Sequence, residues 1–122
     1  LDEVDFGEWT GTSFARLDAD PRWARWNSLR SLAEAPGGEG MAAAQRRALD
    51  HLTNTAARYT DRTVAMVSHC DIIRAIIAGV LGLSLDNMLR FDIGPASVSR
   101  LAVGDWGAQV QALNLGIGGS AA

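Results

Sequence analysis

Apolar residues recur along this chain at changing periods, and each change marks an element. After Asp20-Pro21, Trp23, Trp26, Leu29 and Ala33 fall three or four residues apart and draw one face of a helix. Its start is well signalled. Asp is a good N-cap, and Pro at the first helical position lacks only an N–H that would be orphaned anyway. Pro36-Gly37-Gly38 ends it in a loop. Residues 41–59 predict a second, alanine-rich helix with Ala44, Ala48, Leu49, Leu52 and Ala56 as its buried stripe. Thr63-Val64-Ala65-Met66-Val67-Ser68 is a short apolar run rich in β-branched residues and predicts a strand buried on both faces. Asp71 is placed to cap a third helix running to about Leu83, with Ile72, Ile73, Ile76, Ile77, Val80 and Leu81 inward and Gly82 at its end. A short helical turn over 85–89 follows. Residues 91–93 and 97–103 are strand candidates on either side of Gly94-Pro95. Gly104-Asp105-Trp106-Gly107 is a turn, and 108–114 alternates as a last strand, so the chain closes on a hairpin. The first dozen residues read as a loop.

Helix, strand, helix and hairpin in that order predict an α/β fold: a mostly parallel sheet flanked by helices, ending in a hairpin at one edge. Residues 1–122 read as one domain, with 116–122 a flexible glycine-rich tail. A strand at 63–68 needs parallel neighbours, and this sequence supplies few. Together with a start at Leu1 rather than Met, this predicts that the domain is N-terminally incomplete and that a β-α-β stretch precedes it.

Composition narrows the classes. The 122 residues are 48 % apolar and 20 % charged, as expected of a globular chain. A net charge of −3 without a Lys/Arg block argues against nucleic acid and against a polybasic membrane contact. The longest apolar stretch, 72–85, is too short to span a bilayer and is interrupted by Arg74. A single cysteine, Cys70, cannot form an internal disulfide, which fits a reducing, cytoplasmic setting. Two histidines and that cysteine lack metal-ligand spacing, so zinc is not expected; no cofactor is expected either.

Two residues stand out for chemistry. His69 lies where the expected buried strand meets the following helix, the edge at which open α/β sheets bind ligands. The first N–H groups of that helix, near Cys70, favour an anion such as phosphate. A histidine there can hydrogen-bond a phosphoryl oxygen, where the alternative is a satisfied, half-buried histidine. Glu3, in the first loop, can donate a proton to a leaving oxygen if its surroundings raise its pKa, where the alternative is a solvated charge. Geometry argues against a Cys–His hydrolase, because neighbouring side chains at a strand end point to opposite faces. Neither a G-x-S-x-G elbow nor a phosphate-binding G-x-x-x-x-G-K loop is present.

Four segments carry a resemblance. Leu1-Asp2-Glu3-Val4-Asp5-Phe6-Gly7-Glu8-Trp9-Thr10-Gly11, Pro36-Gly37-Gly38-Glu39 with Arg47 after it, Val67-Ser68-His69-Cys70-Asp71-Ile72-Ile73-Arg74-Ala75, and Gly94-Pro95-Ala96-Ser97-Val98-Ser99 resemble, in order and spacing, the motifs of the histidine phosphatases, the phosphoglycerate-mutase-like family. The resemblance covers the chain up to Asn114. It implies a phosphohistidine intermediate, with the residue matching Glu3 as proton donor and the residue matching His69 clamping the phosphoryl group. It also exposes two departures. The family's Arg-His-Gly nucleophile segment and the next phosphate-binding arginine are absent, and His51, mid-helix, has no such context. Cys70 stands where the family has glycine.

The reading therefore expects a phosphomonoester hydrolase in the complete protein, acting on a small phosphorylated metabolite. Phosphoglycerate mutase chemistry is the first alternative and a non-catalytic phosphate- or partner-binding remnant the second. The short 3–36 interval leans toward the smaller phosphatases. Catalytic candidates are Glu3 and His69. Expected substrate contacts are Cys70, whose N–H faces the phosphate position, Phe14, and on the covering helix Arg22, Trp23 and Trp26, with Arg25 and Arg30 near them. A packed amphipathic helix with solvated arginines is the competing account of that helix. Arg47 and Arg74 are expected to tie helix to loop. A sheet edge left open by missing strands favours association, so a homodimer is a further expectation.

Overall fold

The computed structural model describes residues 1–116. The opening loop carries a 3₁₀ turn at Gly7–Trp9 and leads to α1 (Phe14–Asp18), α2 (Pro21–Ser28) and α3 (Met41–Arg58). Then come α4 (Cys70–Leu81), a 3₁₀ helix at Leu85–Arg90, and the antiparallel pair β1 (Ser97–Gly104) and β2 (Gly107–Gly116).

Local chemistry sets the helix ends. The Asp20 carboxylate accepts from the Arg22 N–H at 2.9 Å and caps α2. That helix stops at Ser28, short of the periodic face that continues to Ala33. The Ser28 hydroxyl donates to the Ala24 carbonyl at 2.9 Å and the Arg25 carbonyl at 3.3 Å, and the Asn27 amide donates to the Trp23 carbonyl at 3.0 Å, so polar side chains fold back onto the last turn. Gly82 ends α4 at φ 69°, a left-handed conformation that costs glycine little. The cap of α4 is His69 rather than Asp71. Asp71 sits inside the first turn because its carboxylate is drawn to two arginines.

The core lies between α3, α4 and the opening segments. Trp26, Met41, Ile72, Ile77 and Met88 are its largest fully buried side chains. Ala44 and Ala48 let α3 approach α4, and Gln45 Nε2 donates to the Ala75 carbonyl across the contact at 2.9 Å. Leu81, expected inward, is 53 % exposed at the end of its helix.

Two strand expectations are corrected. Residues 63–68 and 91–93 are not strands, and β1–β2 is the only sheet among the described residues. Residues 63–68 expose Val64 and, at 88 %, Val67. A β-branched apolar run becomes a strand only when a second backbone meets it, and none does so here. Residues 91–93 are held by other means, with Ile93 buried and its carbonyl accepting from Cys70 Sγ at 3.2 Å. The fold is thus mixed α/β with a C-terminal hairpin. Gly116 closes β2, and the rest of the expected tail lies outside the described residues.

The opening loop is latched to the loop over 36–39. The Glu8 N–H donates to the Pro36 carbonyl at 2.8 Å and the Glu39 N–H to the Asp5 carbonyl at 2.7 Å. A Cβ at Gly7 would overlap the Pro36 carbonyl and one at Gly38 the Asp5 carbonyl, so both loops need glycine for their close approach.

Candidate functional site

The opening loop and the start of α4 meet at the two residues singled out for chemistry. The Ser68 hydroxyl donates to the Leu1 carbonyl at 3.2 Å, which brings the residue before His69 against the segment that carries Glu3. His69 is exposed, adopts extended backbone (φ −113°, ψ 158°) and places no side-chain cap on the helix it begins. Among the described residues, the N–H groups of Cys70, Asp71 and Ile72 find no acceptor; the first bond of α4 runs from the Ile73 N–H to the His69 carbonyl at 2.9 Å. Three N–H groups and the positive end of the helix dipole therefore open beside the imidazole.

Arg47 of α3 positions the Glu3 backbone. Its Nη2 donates to the carbonyls of Asp2 at 2.9 Å and Glu3 at 3.0 Å, while Nε pairs with Glu39 Oε2 at 2.8 Å. This bidentate hold pulls the Glu39 carboxyl below its ordinary range. Arg47 thus ties helix to loop as expected.

Glu3 behaves in the opposite sense. Burial raises its pKa above the ordinary 4.5, against the N–H of Val4, which donates to Oε1 at 2.8 Å and lowers it. Asp71 pushes the value up further, and His69 and Arg47 pull it down. Glu3, His69 and Asp71 therefore share one electrostatic neighbourhood. A raised carboxyl stabilises the fold below its unfolded pKa, and that contribution is lost as pH rises through the folded value. A carbon-detected titration of Glu3 is expected to show a midpoint above 4.5. A midpoint at or below it would contradict the burial described here.

The remaining candidates separate. The Cys70 thiol turns to the Ile93 carbonyl, and burial raises its pKa, so it is a weak nucleophile. Phe14, at the start of α1, is 77 % exposed. Arg22 is engaged by Asp20 at 2.9 Å and lies 3.8 Å from Glu8, and it holds the Asp20 carboxyl down to about 2. Trp23 is half-buried, edge-on to Trp9 with centroids 5.2 Å apart. Trp26 is fully buried against Phe6 and Trp9 and offers no surface to a ligand. Its place three residues beyond Trp23 turns it inward, so it packs where a substrate contact was expected.

A hollow of about 520 Å³ beside Glu3 is lined by Asp2, Glu3, Asp5, Glu34 and Glu39 with Arg47 as the one cation. That lining repels an anion, whereas the start of α4 presents N–H groups without an acceptor among the described residues. A larger groove of about 1080 Å³ lies elsewhere, between Thr63-Val64 and residues 101–104 of β1, floored by α3 and α4. Among the described residues no group of His, Cys, Asp and Glu could hold a metal ion, and no helix is long and apolar enough to cross a membrane. Sequence reasoning passed over one feature, the burial of Arg30 between Trp26 and Asp71. The Asp at the third position after Ser68 was its only signal.

Comparison with known proteins gives the family. The model of the histidine phosphatase superfamily (branch 1) matches residues 1–116. The chain belongs to that superfamily. It is 30 % identical over 99 residues to phosphoserine phosphatase 1 of Hydrogenobacter thermophilus, a match covering 80 % of this chain and 47 % of that protein. Its fold is similar to that of Bacillus stearothermophilus YhfR, with a TM-score of 0.83 and 22 % identity, over 90 % of this chain and 56 % of the other. It is also similar to a mycobacterial glucosyl-3-phosphoglycerate phosphatase solved with inorganic phosphate, with a TM-score of 0.74 and 27 % identity, over 93 % and 61 % of the two chains. The chain thus spans about half the length of the relatives it matches.

Proposed function

We propose that this chain is the C-terminal part of a phosphomonoester hydrolase that works through a phosphohistidine. One observation carries the reading: a carboxyl whose proton is favoured by burial, Glu3, is joined through the Leu1–Ser68 contact to His69 at an open helix N-terminus. In the reaction a nucleophilic imidazole nitrogen, supplied by an upstream Arg-His-Gly segment, attacks phosphorus. The P–O ester bond breaks, and the leaving oxygen takes the proton of Glu3. Water then attacks phosphorus, the N–P bond breaks, and the water proton returns to Glu3. His69 and the N–H groups at the start of α4 bind the phosphoryl oxygens throughout and hold more tightly as charge builds on them.

Two features support an upstream segment. Among the described residues, 63–68 and the outer edge of β1 both lack a backbone partner, and they flank the large groove, which is of a size to take a strand. The relatives are also longer than this chain by more than half its length. The substrate is a small phosphorylated metabolite.

The test is His69→Ala in the full-length protein, with phosphate release from simple phosphomonoesters as the readout. Loss of one donor to the developing charge is expected to lower turnover by roughly 10²–10³. Unchanged turnover and unchanged affinity for inorganic phosphate would remove His69 from the site. A phosphoryl group that moves within the substrate, with no phosphate released, would replace hydrolysis by mutase chemistry.

A further inference from the structure

Arg30 follows α2 in a turn and is only 6 % exposed. Its guanidinium lies over the Trp26 ring at 5.1 Å from the centroid. Nη2 donates to Asn27 Oδ1 at 3.0 Å, and Nη1 lies 3.7 Å from Asp71 Oδ2 and 3.9 Å from the Met88 sulfur. Its Nε is buried with no partner among the described residues. On the other side of Asp71, Arg74 Nη1 is 3.6 Å from Oδ1, and Arg74 Nη2 reaches Asp92 at 3.1 Å. Asp71 is therefore held between two guanidinium groups, one from the α2 side and one from its own helix.

A buried, incompletely satisfied ion pair is a poor source of stability, because desolvation consumes most of the Coulombic gain. Burial pulls the Arg30 pKa down, and Arg74 pulls in the same direction against Asp71. What such a contact does supply is direction. Asp71 is the second residue of α4, immediately after the Cys70 N–H and two residues past His69. A planar guanidinium fixed on the Trp26 face, between Trp26 and Met88, sets where that carboxylate lies. It thereby sets the azimuth of the first turn of α4 against the α2 segment.

We propose that Arg30 is a positioning residue for the phosphate site: acting through Asp71, it fixes the first turn of α4, and with it His69 and the free N–H groups, relative to the α2 segment. This rests on the reading of the α4 start as the phosphate position. The contact also gives the α2 segment a route to the phosphate site that needs no contact between its own side chains and the substrate.

The test uses Arg30→Met, which keeps the stem packed on Trp26, together with Arg30→Lys and Asp71→Asn. Amide resonances of residues 70–73 are followed in the free protein and then through a titration with inorganic phosphate, with urea melts in parallel. For Arg30→Met, the expected result is a melting midpoint near that of the parent, displaced amide resonances at 70–73 before any phosphate is added, and roughly tenfold weaker phosphate binding, as for a site shifted by well under 1 Å. Arg30→Lys should recover part of the affinity, and Asp71→Asn should displace the same amides. Combining Arg30→Met with Asp71→Asn should weaken binding no further than either alone. Unmoved resonances at 70–73 in Arg30→Met overturn the proposal, as does an affinity loss that merely follows a loss of stability. Should Arg30→Met fail to fold, Arg30→Lys and Asp71→Asn decide the matter by the same amide readout. If the parent does not bind phosphate, the site reading falls, while the positioning of the first turn is still judged on the free-protein resonances.

Discussion

Trp26→Ala should destabilise the fold by about 3–5 kcal/mol, the range for deleting a fully buried aromatic side chain. Trp26 is completely buried. Its ring meets Phe6 at 6.0 Å and Trp9 at 5.9 Å between centroids, both edge-on, and carries the Arg30 guanidinium on one face. These contacts join the opening loop, α2 and the turn after it, so the cavity left by alanine has walls from three segments and cannot easily collapse. Urea unfolding of the variant and the parent measures the effect. A loss below about 1 kcal/mol would mean that the ring is not in the core. Trp23→Ala, at a half-buried site with one edge contact, should cost clearly less. The contrast matters for function, since lost activity in a Trp26 variant would report lost packing, whereas Trp23 still has surface available to a ligand.

Glu3→Gln is expected to lower hydrolysis of alkyl phosphates by roughly 10²–10⁴ in the full-length protein, the usual contribution of a positioned general acid. The loss should shrink for aryl phosphates whose leaving oxygen departs as a stable anion, because such oxygens need little help from a proton. The dependence of rate on leaving-group basicity is therefore the measurement. Equal losses across the series would make Glu3 a binding or structural residue. Glutamine cannot ionise, so the variant should also lose the limb of the pH profile that falls as Glu3 deprotonates. Because burial raises the Glu3 pKa, that limb should lie above the ordinary glutamate value of 4.5.

Much of the local structure was legible in the chain. Asp20-Pro21 marked the start of α2, the alanine-rich stripe marked α3, and Gly82 marked the end of α4. The hairpin followed from alternation around Gly104-Asp105-Trp106-Gly107. In each case the signal and the structure it produces lie within a few residues of one another, as capping and turn chemistry require. The order of the four motifs was equally legible, and with it the family. The glycines of the 36–39 loop acquired a physical reason only in three dimensions, where Gly38 backs onto the Asp5 carbonyl.

Other features needed the tertiary structure. The same periodic face holds Trp23 and Trp26, yet only Trp26 is sealed, because Phe6 and Trp9 arrive from the opening loop to cover it. Asp71 looked like a cap and is instead a carboxylate shared by Arg30 and Arg74, since one of the two charges that claim it comes from a turn far away in the chain. Residues 63–68 have the composition of a buried strand and find no partner among the described residues, because a strand is a property of two backbones. By itself the sequence determined where helices and turns fall, and therefore that a helix starts next to His69 and that Glu3 sits in a loop, since those choices are made by neighbours; it did not determine that His69 rather than Asp71 is the cap. Only the tertiary structure decided that the two share one electrostatic neighbourhood, with Glu3 half-buried and its proton favoured, because burial and long-range charge depend on which distant segments close over a residue.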